Sequence, residues 1–219
     1  KTPPCADLII EKKIKKVVIG CADPNPLVAG KGIEKLRAAG IEVITDVLKE
    51  DCIELNRRFF TWHQKNRPYI ILKWAQTKDG FLSLKPPFKK EDNWITAEDS
   101  KKLVHQWRAQ EQAIMIGTNT AILDNPELTV RLVEGENPLR VIIDENLVIP
   151  FSSHVFSQET ETLVFTSLNA LDRDHVKYLK TDFSKNILPF VMQALFERNI
   201  QSVIIEGGAH LLNSFIEDA

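Results

Sequence analysis

A pair of glycines follows an apolar run near the end of the 219-residue sequence. Residues 203–205 are Val-Ile-Ile, and Glu206, Gly207 and Gly208 separate them from a helical pattern that starts at Ala209. Glycines between a strand and a helix let the backbone approach a ligand closely, and the free N–H groups of the helix can hold a phosphate. The pattern predicts a nucleotide phosphate site at the carboxyl edge of a sheet. A tight strand-to-helix turn without a ligand has the same pattern. Glu206 is a candidate acceptor for a hydroxyl group, or a cap of the next helix.

Further candidates are two arginines and three residues at predicted helix ends or turns. Arg108 and Arg131 could form bidentate contacts with a phosphate, although a lone arginine is more often a surface residue. Trp94 and Thr96 stand beside a predicted helix N-terminus, where the ring could cover a cofactor and the hydroxyl could meet a phosphate. Their alternative roles are an anchoring aromatic and an N-cap. Asp124 stands in a polar turn, and the local pattern favours a purely structural role for that turn.

The three cysteines do not form an even, dense set. Cys5, Cys21 and Cys52 therefore indicate a reducing compartment, in which disulfides are rare. Cys5 precedes a helical pattern, and a helix N-terminus favours the thiolate that binds metals. Zinc takes three or four ligands, and the chain has neither a CxxC nor an HxE motif. On its own pattern, Cys5 is expected to be a buried structural cysteine.

Composition excludes several classes of protein. The chain is 43% hydrophobic and 26% charged, with 28 basic and 30 acidic residues and a net charge of −2. This near balance lacks the electrostatic footprint of sequence-independent nucleic-acid binding. No apolar run approaches the roughly 18 residues that span a bilayer, and no secretory signal is visible. We expect a cytoplasmic protein with neither nucleic-acid nor membrane partners.

Because the sequence lacks an initial Met and stops just after an apolar helical stretch, both ends are expected to be cut from something longer.

Short apolar runs alternate with helical patterns along the chain, which predicts an α/β fold with a mainly parallel sheet. The Arg67-Pro68 step is the candidate boundary between two units. Strands are predicted at 16–21, 41–44, 69–75, 113–117, 139–144, 161–166 and 202–206, with a possible return strand at 81–84. Helices are predicted after residue 32, over 49–66, over 97–110 with Thr96 as N-cap, over 187–199 and from Ala209 onward.

Motifs along almost the whole chain resemble, in order and spacing, those of the RibD family of bifunctional riboflavin-biosynthesis deaminase/reductases. KTPPC at 1–5, VVIG at 17–20 and DPNPLVAGKGI at 23–33 are similar to the second half of the deaminase domain. The motifs similar to the reductase domain lie at 67–80, 93–96, 108–110, 116–131, 139–144 and 206–208. The resemblance implies that residues 1–66 are the C-terminal part of a cytidine-deaminase-like zinc domain. It implies that residues 67–219 are a C-terminally truncated, dihydrofolate-reductase-like NADPH-dependent reductase domain.

Two reactions are implied for the family's full-length protein. One is hydrolytic deamination of 2,5-diamino-6-ribosylamino-4(3H)-pyrimidinone 5′-phosphate, which uses zinc. The other is NADPH-dependent reduction of the ribosyl chain of 5-amino-6-(5-phosphoribosylamino)uracil to a ribityl chain, and this chain is expected to carry mainly that part. The implied partner is a small phosphorylated ribosylaminopyrimidine, and a homo-oligomer (dimer or tetramer) is expected.

The resemblance also implies roles for individual residues. Arg108 and Arg131 are expected to hold the 5′-phosphate, and Glu206 to meet polar atoms of the ribose or base. Asp124 or Glu206 is the candidate for electrostatic support of a developing iminium. Cys5 matches the second of two zinc-binding cysteines, and the other zinc-motif residues are expected upstream of Lys1. The implied cofactor-binding residues are Trp94, Thr96, Thr120, Asp124, Gly207 and Gly208. The implied substrate-binding residues are Lys73, Asp92, Arg108, Leu128, Arg131 and Glu206.

Two other functions stay open at this point. One is a stand-alone dihydrofolate-reductase-like enzyme that acts on a pteridine or another pyrimidine, although the deaminase-like residues 1–33 would be superfluous there. The other is a nucleotide-binding domain that has lost its catalytic activity. The substrate that supports NADPH oxidation distinguishes these possibilities.

Overall fold

The computed structural model describes residues 5–82 and 95–218. Its backbone divides into two compact units, with the division between Arg67 and Pro68. Each unit has a parallel sheet of its own. Over the described ranges, no helix is both long enough and apolar enough to cross a membrane.

The first unit is a small α/β unit with two paired strands. Strands β1 and β2 pair in parallel, with Lys16 opposite Glu42 and Val18 opposite Ile44. A parallel pair needs a crossover connection, which helix α2 supplies. The buried core of the unit contains Ala6, Leu36 and Ile41. Its elements are α1 (Cys5–Glu11), β1 (Lys16–Val18), α2 (Lys31–Ala38), β2 (Glu42–Ile44), α3 (Lys49–Leu55) and α4 (Arg57–Lys65).

The helix predicted over 49–66 is two helices, α3 and α4, separated at Asn56. The side-chain amide of Asn56 donates a hydrogen bond to the Cys52 carbonyl at 2.8 Å, and the Asn56 backbone N–H donates to the same carbonyl at 3.2 Å. Asparagine side chains compete in this way with the helical hydrogen bonds of the backbone. The prediction of one continuous helix was therefore wrong.

The second unit, residues 68–219, carries the larger sheet and is called the larger unit below. Within the described residues this sheet has six strands in the order β3-β8-β4-β5-β6-β7, and every neighbouring pair is parallel. The prediction of an α/β fold with a parallel sheet is confirmed. The elements are β3 (Tyr69–Leu72), α5 (Glu98–Gln110), β4 (Ala113–Gly117), α6 (Thr118–Asp124), β5 (Leu139–Ile143), a 3₁₀ turn (His154–Phe156), β6 (Thr162–Thr166), β7 (Val176–Lys180), α7 (Leu188–Glu197), β8 (Ser202–Ile205) and α8 (Ala209–Glu217).

The central strands of the larger sheet are buried on both faces, as is usual for parallel sheets. Ile114 and Ile204 pack on one face with Val155 of the 3₁₀ turn, while Met115 and Ile205 pack on the other face with α7 and α8. All carboxyl ends of the strands lie at one edge because the strands are parallel. Side chains that follow these strands are therefore brought together there, although they are far apart in the sequence.

Several strands differ from the predicted ones. Strands β1 and β3 end at Val18 and Leu72, before the predicted ends at residues 21 and 75. Strand β7 (Val176–Lys180) was not predicted, because its sequence VKYLK lacks a continuous apolar run and its residues are mostly half-buried. Residues 81 and 82 are not part of a strand, and the rest of the predicted return strand at 81–84 lies outside the described residues.

Candidate functional site

The candidate site begins where β3 and β8 end side by side. Leu72 pairs with Ile205, so Lys73 and Glu206 are the next residues at the carboxyl edge. The Lys73 backbone N–H donates to the Ile205 carbonyl at 3.0 Å. The Lys73 ammonium (Nζ) lies 3.6 Å from Glu206 Oε2. Strand pairing thus places a cation beside a carboxylate, and the predicted role of both residues in substrate binding stays a prediction.

Arg108, on α5, completes a buried ion pair with Glu206. Its Nε donates to Glu206 Oε1 at 3.0 Å and its Nη2 donates to Oε2 at 2.7 Å. The Arg108 side chain is 11% exposed and that of Glu206 is 6% exposed. A bidentate pair of this kind fixes both groups in orientation, and removal of either partner would leave an uncompensated buried charge.

Two opposing effects set the protonation of Glu206. Burial raises the pKa of its carboxyl group, but hydrogen bonds and charge from Arg108, together with Lys73, more than offset burial and lower the pKa below its ordinary value. Glu206 is therefore an anion at neutral pH. It can accept hydrogen bonds and stabilise positive charge, but it has no proton to donate.

Residues 127–131 form an irregular segment beside this pair. Arg108 Nη1 donates to the Thr129 carbonyl at 3.4 Å, and Arg131 Nη1 donates to Thr129 Oγ1 at 2.5 Å. Arg131 also forms an ion pair with Glu127, and the two side chains are 45% and 37% exposed. Arg131 is therefore the accessible arginine of the predicted pair, whereas Arg108 is mostly enclosed.

Leu128 lies in the same segment, but its side chain points into the core. The residue is only 2% exposed, and it packs with a buried cluster that includes Ala121 and Ile142. Its backbone has a φ of 56°, a left-handed conformation that costs energy for a branched side chain. Burial of the Leu128 side chain helps to hold the segment in this conformation. A contact of Leu128 with substrate stays a prediction.

The predicted cofactor side is made by two helices that start directly after neighbouring strands. Helix α6 follows Gly117 of β4, and α8 follows the glycine pair after β8. The Gly208 backbone N–H donates to Thr120 Oγ1 at 2.8 Å, which joins the two helix starts. Helix N-termini carry partial positive charge, so this edge suits the phosphates of a dinucleotide.

Close packing is a second reason for glycine at positions 207 and 208. A Cβ at Gly207 would lie 2.7 Å from Leu211 Cδ2, and a Cβ at Gly208 would lie 3.3 Å from Thr120 Oγ1. The alternative of a tight strand-to-helix turn thus accounts for Gly207 without a ligand. Gly208 is exposed, so its surface is accessible to a bound group.

Other predicted site residues are placed as follows. Asp124 ends α6, at the end opposite to Thr118, and leads into the turn before the 127–131 segment. Helix α5 starts at Glu98 with Ala97 in the N-cap position, so the prediction of Thr96 as N-cap was wrong by one residue. Asp92 and Trp94 lie outside the described residues.

Cys5 is the first residue of α1 and is exposed, so the expectation of a buried structural cysteine was wrong. In residues 5–82 and 95–218, no group of three or more His, Cys, Asp or Glu side chains is arranged to hold a metal ion. The role of Cys5 as a zinc ligand stays a prediction.

Sequence reasoning missed His105 and Asn137. His105 is 6% exposed, and its Nδ1 accepts a hydrogen bond from the Arg131 backbone N–H at 3.0 Å. Asn137 Oδ1 accepts from the Val130 backbone N–H at 2.7 Å. The spacing of His105, three residues before Arg108, places both on one helix face and could have indicated its position.

Comparison with known proteins gives consistent matches. The family model for the RibD C-terminal domain matches residues 68–219. The riboflavin biosynthesis protein RibD of Aquifex aeolicus is 43% identical over 100% of this chain and 62% of that protein. The protein of the same name from Actinobacillus pleuropneumoniae is 39% identical over 99% of this chain and 60% of that protein. This chain thus spans about three fifths of the length of these curated relatives.

Solved structures agree with these sequence matches. A diaminohydroxyphosphoribosylaminopyrimidine deaminase/5-amino-6-(5-phosphoribosylamino)uracil reductase from Thermotoga maritima superposes with a TM-score of 0.89 at 42% identity. The match covers 100% of this chain and 61% of that one. RibD of Acinetobacter baumannii gives a TM-score of 0.83 at 32% identity, over 99% of this chain and 61% of that one. These matches confirm the predicted reductase-type fold of the larger unit.

Proposed function

Because the chain belongs to the RibD C-terminal domain family, we propose that it carries the reductase activity of riboflavin biosynthesis. The reaction is NADPH-dependent reduction of the ribosyl chain of 5-amino-6-(5-phosphoribosylamino)uracil to a ribityl chain. The observation that carries the proposal is the buried cluster of Lys73, Arg108 and Glu206 at the carboxyl edge of the sheet. Ligands of open α/β sheets bind at this edge.

On the substrate side, accessible and enclosed charges have different tasks. Arg131 has an exposed guanidinium that can receive the 5′-phosphate in a bidentate contact. Arg108 has turned its Nε and Nη2 toward Glu206, so its main contribution is to hold that carboxylate and the Thr129 carbonyl in place. Lys73 adds positive charge next to the same carboxylate.

The chemical task of Glu206 follows from its ionisation. Opening of the ribosyl ring gives an imine, and positive charge develops on the nitrogen as that group becomes reducible. A fixed, enclosed carboxylate stabilises such charge more than the same group in water does. A carboxylate has about four acceptor positions, so Glu206 can also accept a sugar hydroxyl beside its contacts with Arg108 and Lys73. Asp124 is the second candidate for this electrostatic support.

The partial positive charge of helix N-termini supports NADPH as the cofactor of this proposal. The joined starts of α6 and α8 would hold its phosphates, with Thr120, Gly207 and Gly208 as the contacting residues. The predicted contacts of Trp94, Thr96 and Asp124 belong to the same proposal. When bound, NADPH supplies the hydride, and the protein supplies binding and orientation.

The deaminase activity in the name of the Thermotoga maritima relative is a separate proposal for a protein that contains the complete zinc motif. Residues 1–66 would be the C-terminal part of that domain, and Cys5 one of its zinc ligands. Metal analysis of such a protein is expected to give one zinc per chain, and Cys5→Ser is expected to lose it. Retention of zinc by Cys5→Ser would contradict the assignment of Cys5.

The reductase proposal is tested by NADPH oxidation with three substrates: the deaminated ribosylaminopyrimidine phosphate, dihydrofolate and a dihydropterin. We expect turnover with the first. Turnover with a folate or pterin alone would instead favour a stand-alone reductase, and NADPH binding without turnover would favour a domain that has lost catalysis.

Glu206→Gln keeps the shape of the side chain and removes its charge. We expect kcat to fall at least about tenfold, because about 1.4 kcal/mol of transition-state stabilisation corresponds to that factor. The matched control is Glu159→Gln, which neutralises a half-exposed glutamate beside another buried arginine and should leave kcat unchanged. An unchanged kcat in Glu206→Gln would remove Glu206 from the chemistry.

A further inference from the structure

Three consecutive residues of the 127–131 segment are held by side chains from elsewhere in the larger unit. The Thr129 carbonyl accepts from Arg108, the Val130 N–H donates to Asn137, and the Arg131 N–H donates to His105. These residues lie in neither a helix nor a strand. They lack the hydrogen bonds of regular structure, so side chains must satisfy their backbone groups. The position of Arg131 therefore depends on these anchors.

The bond between Arg131 and His105 specifies one form of the imidazole. A backbone N–H can only donate, so Nδ1 of His105 must offer its lone pair and the ring proton must be on Nε2. Such a ring is neutral, because a protonated imidazole carries hydrogen on both nitrogens. His105 and Arg108 are three residues apart on α5, so one helix face holds both the Glu206 pair and the Arg131 backbone.

We infer that His105 is a positioning residue for substrate binding: as a neutral imidazole, it fixes the Arg131 backbone so that the guanidinium meets the anionic end of the substrate. This inference rests on the proposed function, because it uses Arg131 as the phosphate contact. The inference adds His105 to the proposed site. His105 takes no proton from the substrate, and it acts only by positioning Arg131.

The surrounding charges favour the neutral ring. Burial, followed by the positive charges of Arg108 and Arg131, lowers the pKa of His105, and the nearby Glu206 and Glu127 oppose this only in part. The ordinary value for histidine is about 6.5. The hydrogen bond is therefore complete above about pH 6.5 and is lost as the pH falls through the lowered pKa. Protonation would remove the acceptor and add a positive charge beside two arginines.

Two substitutions separate the hydrogen bond from the titration. His105→Leu fills the buried position with an apolar side chain and removes the acceptor. His105→Asn retains an acceptor, since Oδ1 of asparagine stands at the same distance along the side chain as Nδ1, but it does not titrate. We measure KM for the ribosylaminopyrimidine phosphate, KM for NADPH and kcat from about pH 5 to pH 8.

For His105→Leu we expect KM for the phosphorylated substrate to rise about tenfold at neutral pH, as expected for the loss of one well-placed hydrogen bond. KM for NADPH should stay within about twofold of the unsubstituted value. For His105→Asn we expect a nearly normal substrate KM at neutral pH and a weaker rise of KM on acidification than in the unsubstituted protein. Titration of the substrate phosphate itself affects all three proteins equally and cancels in the comparison.

The outcomes distinguish this inference from the proposed function. If the unsubstituted protein does not reduce the ribosylaminopyrimidine phosphate, the proposed function fails. If it does, but His105→Asn retains the full acid rise of KM, the inference alone fails. An equal rise of both KM values in His105→Leu would also overturn it, because that pattern indicates general distortion. Should His105→Leu fail to fold, the pH profile of His105→Asn decides.

Discussion

Arg140 and Arg108 are both enclosed in the larger unit, but they face different partners. Arg140, on β5, is 0% exposed, and its guanidinium donates to the carbonyls of Glu127, Val155 and Ser157 at 2.9, 3.2 and 2.9 Å. Its nearby carboxylate, Glu159, is half exposed and lies 3.4 Å away. Arg108 instead directs two nitrogens at the buried carboxylate of Glu206.

This difference separates a structural arginine from one in the candidate site. Carbonyl oxygens of two chain segments, one at Glu127 and one at Val155 and Ser157, share the charge of Arg140. Burial lowers the pKa of the Arg140 guanidinium, but the ordinary pKa of arginine is so high that the group stays charged. The charge of Arg108 is matched by one carboxylate at the sheet edge, where a charged substrate can compete for both partners. The two arginines hold the same segment, Arg140 at the Glu127 carbonyl and Arg108 at the Thr129 carbonyl.

The largest effect on stability is expected for Arg140→Leu. The substitution removes the donor of the part-buried Glu127 and Ser157 carbonyls, whereas the Val155 carbonyl keeps a hydrogen bond from Thr162 Oγ1 at 2.7 Å. Each unsatisfied group costs about 1–3 kcal/mol, so we expect the free energy of unfolding to fall by about 4 kcal/mol, measured by urea denaturation. Glu159→Gln is the matched control and should cost less than about 1 kcal/mol, because its pair is partly exposed. Similar losses in both variants would show that the stability comes from the ion pair.

A somewhat smaller loss, about 3 kcal/mol at neutral pH, is expected for Arg108→Leu. In the unsubstituted protein the pKa of Glu206 is lowered, so its contribution to stability is present at neutral pH and lost on acidification below about pH 4.5. Without Arg108, burial should raise this pKa instead. The loss of stability should then be largest at neutral pH and shrink as the pH falls toward 5, which urea denaturation at several pH values would detect.

The double variant Arg108→Leu/Glu206→Leu tests the cause of that loss. Replacement of both charged side chains by leucine removes the unpaired carboxylate, so most of the stability should return, while kcat should stay at least about tenfold below that of the unsubstituted protein. A double variant no more stable than Arg108→Leu would indicate that packing of the Arg108 side chain, and not its charge, is what matters.

The sheet could largely be predicted from the sequence, because buried parallel strands are continuous apolar runs such as 113–117 and 203–205. Strand β7 was missed because lysines interrupt its pattern, and Asn56 divided a helix that has continuous apolar periodicity. The first error arises from the position of β7 in the sheet, and the second arises from the side-chain hydrogen bond of Asn56. The spacing of hydrophobic residues does not reveal either feature.

The site was predicted as a set of residues but not as a geometry. Arg108 and Glu206 meet across 98 positions because β8 inserts between β3 and β4, a strand order that no local pattern specifies. The sequence pattern could not show that Arg108 donates two hydrogen bonds to Glu206, so that Arg131 is the accessible arginine. His105 was overlooked because a single histidine in a helical pattern has no distinctive neighbours in the sequence.

The smallest effect on stability, and the most selective effect on function, is expected for Arg131→Gln. The side chain is 45% exposed, so loss of its pair with Glu127 should cost less than about 1 kcal/mol. A charge-assisted phosphate contact contributes about 1.5–3 kcal/mol, so KM for the phosphorylated substrate should rise about ten- to hundredfold while KM for NADPH stays unchanged. Arg131→Lys keeps the charge without the bidentate geometry and should give an intermediate KM. If instead Arg131→Gln is kinetically silent, the phosphate must be held by another group, which would be Lys73 or an Arg108 that releases Glu206 when the substrate binds.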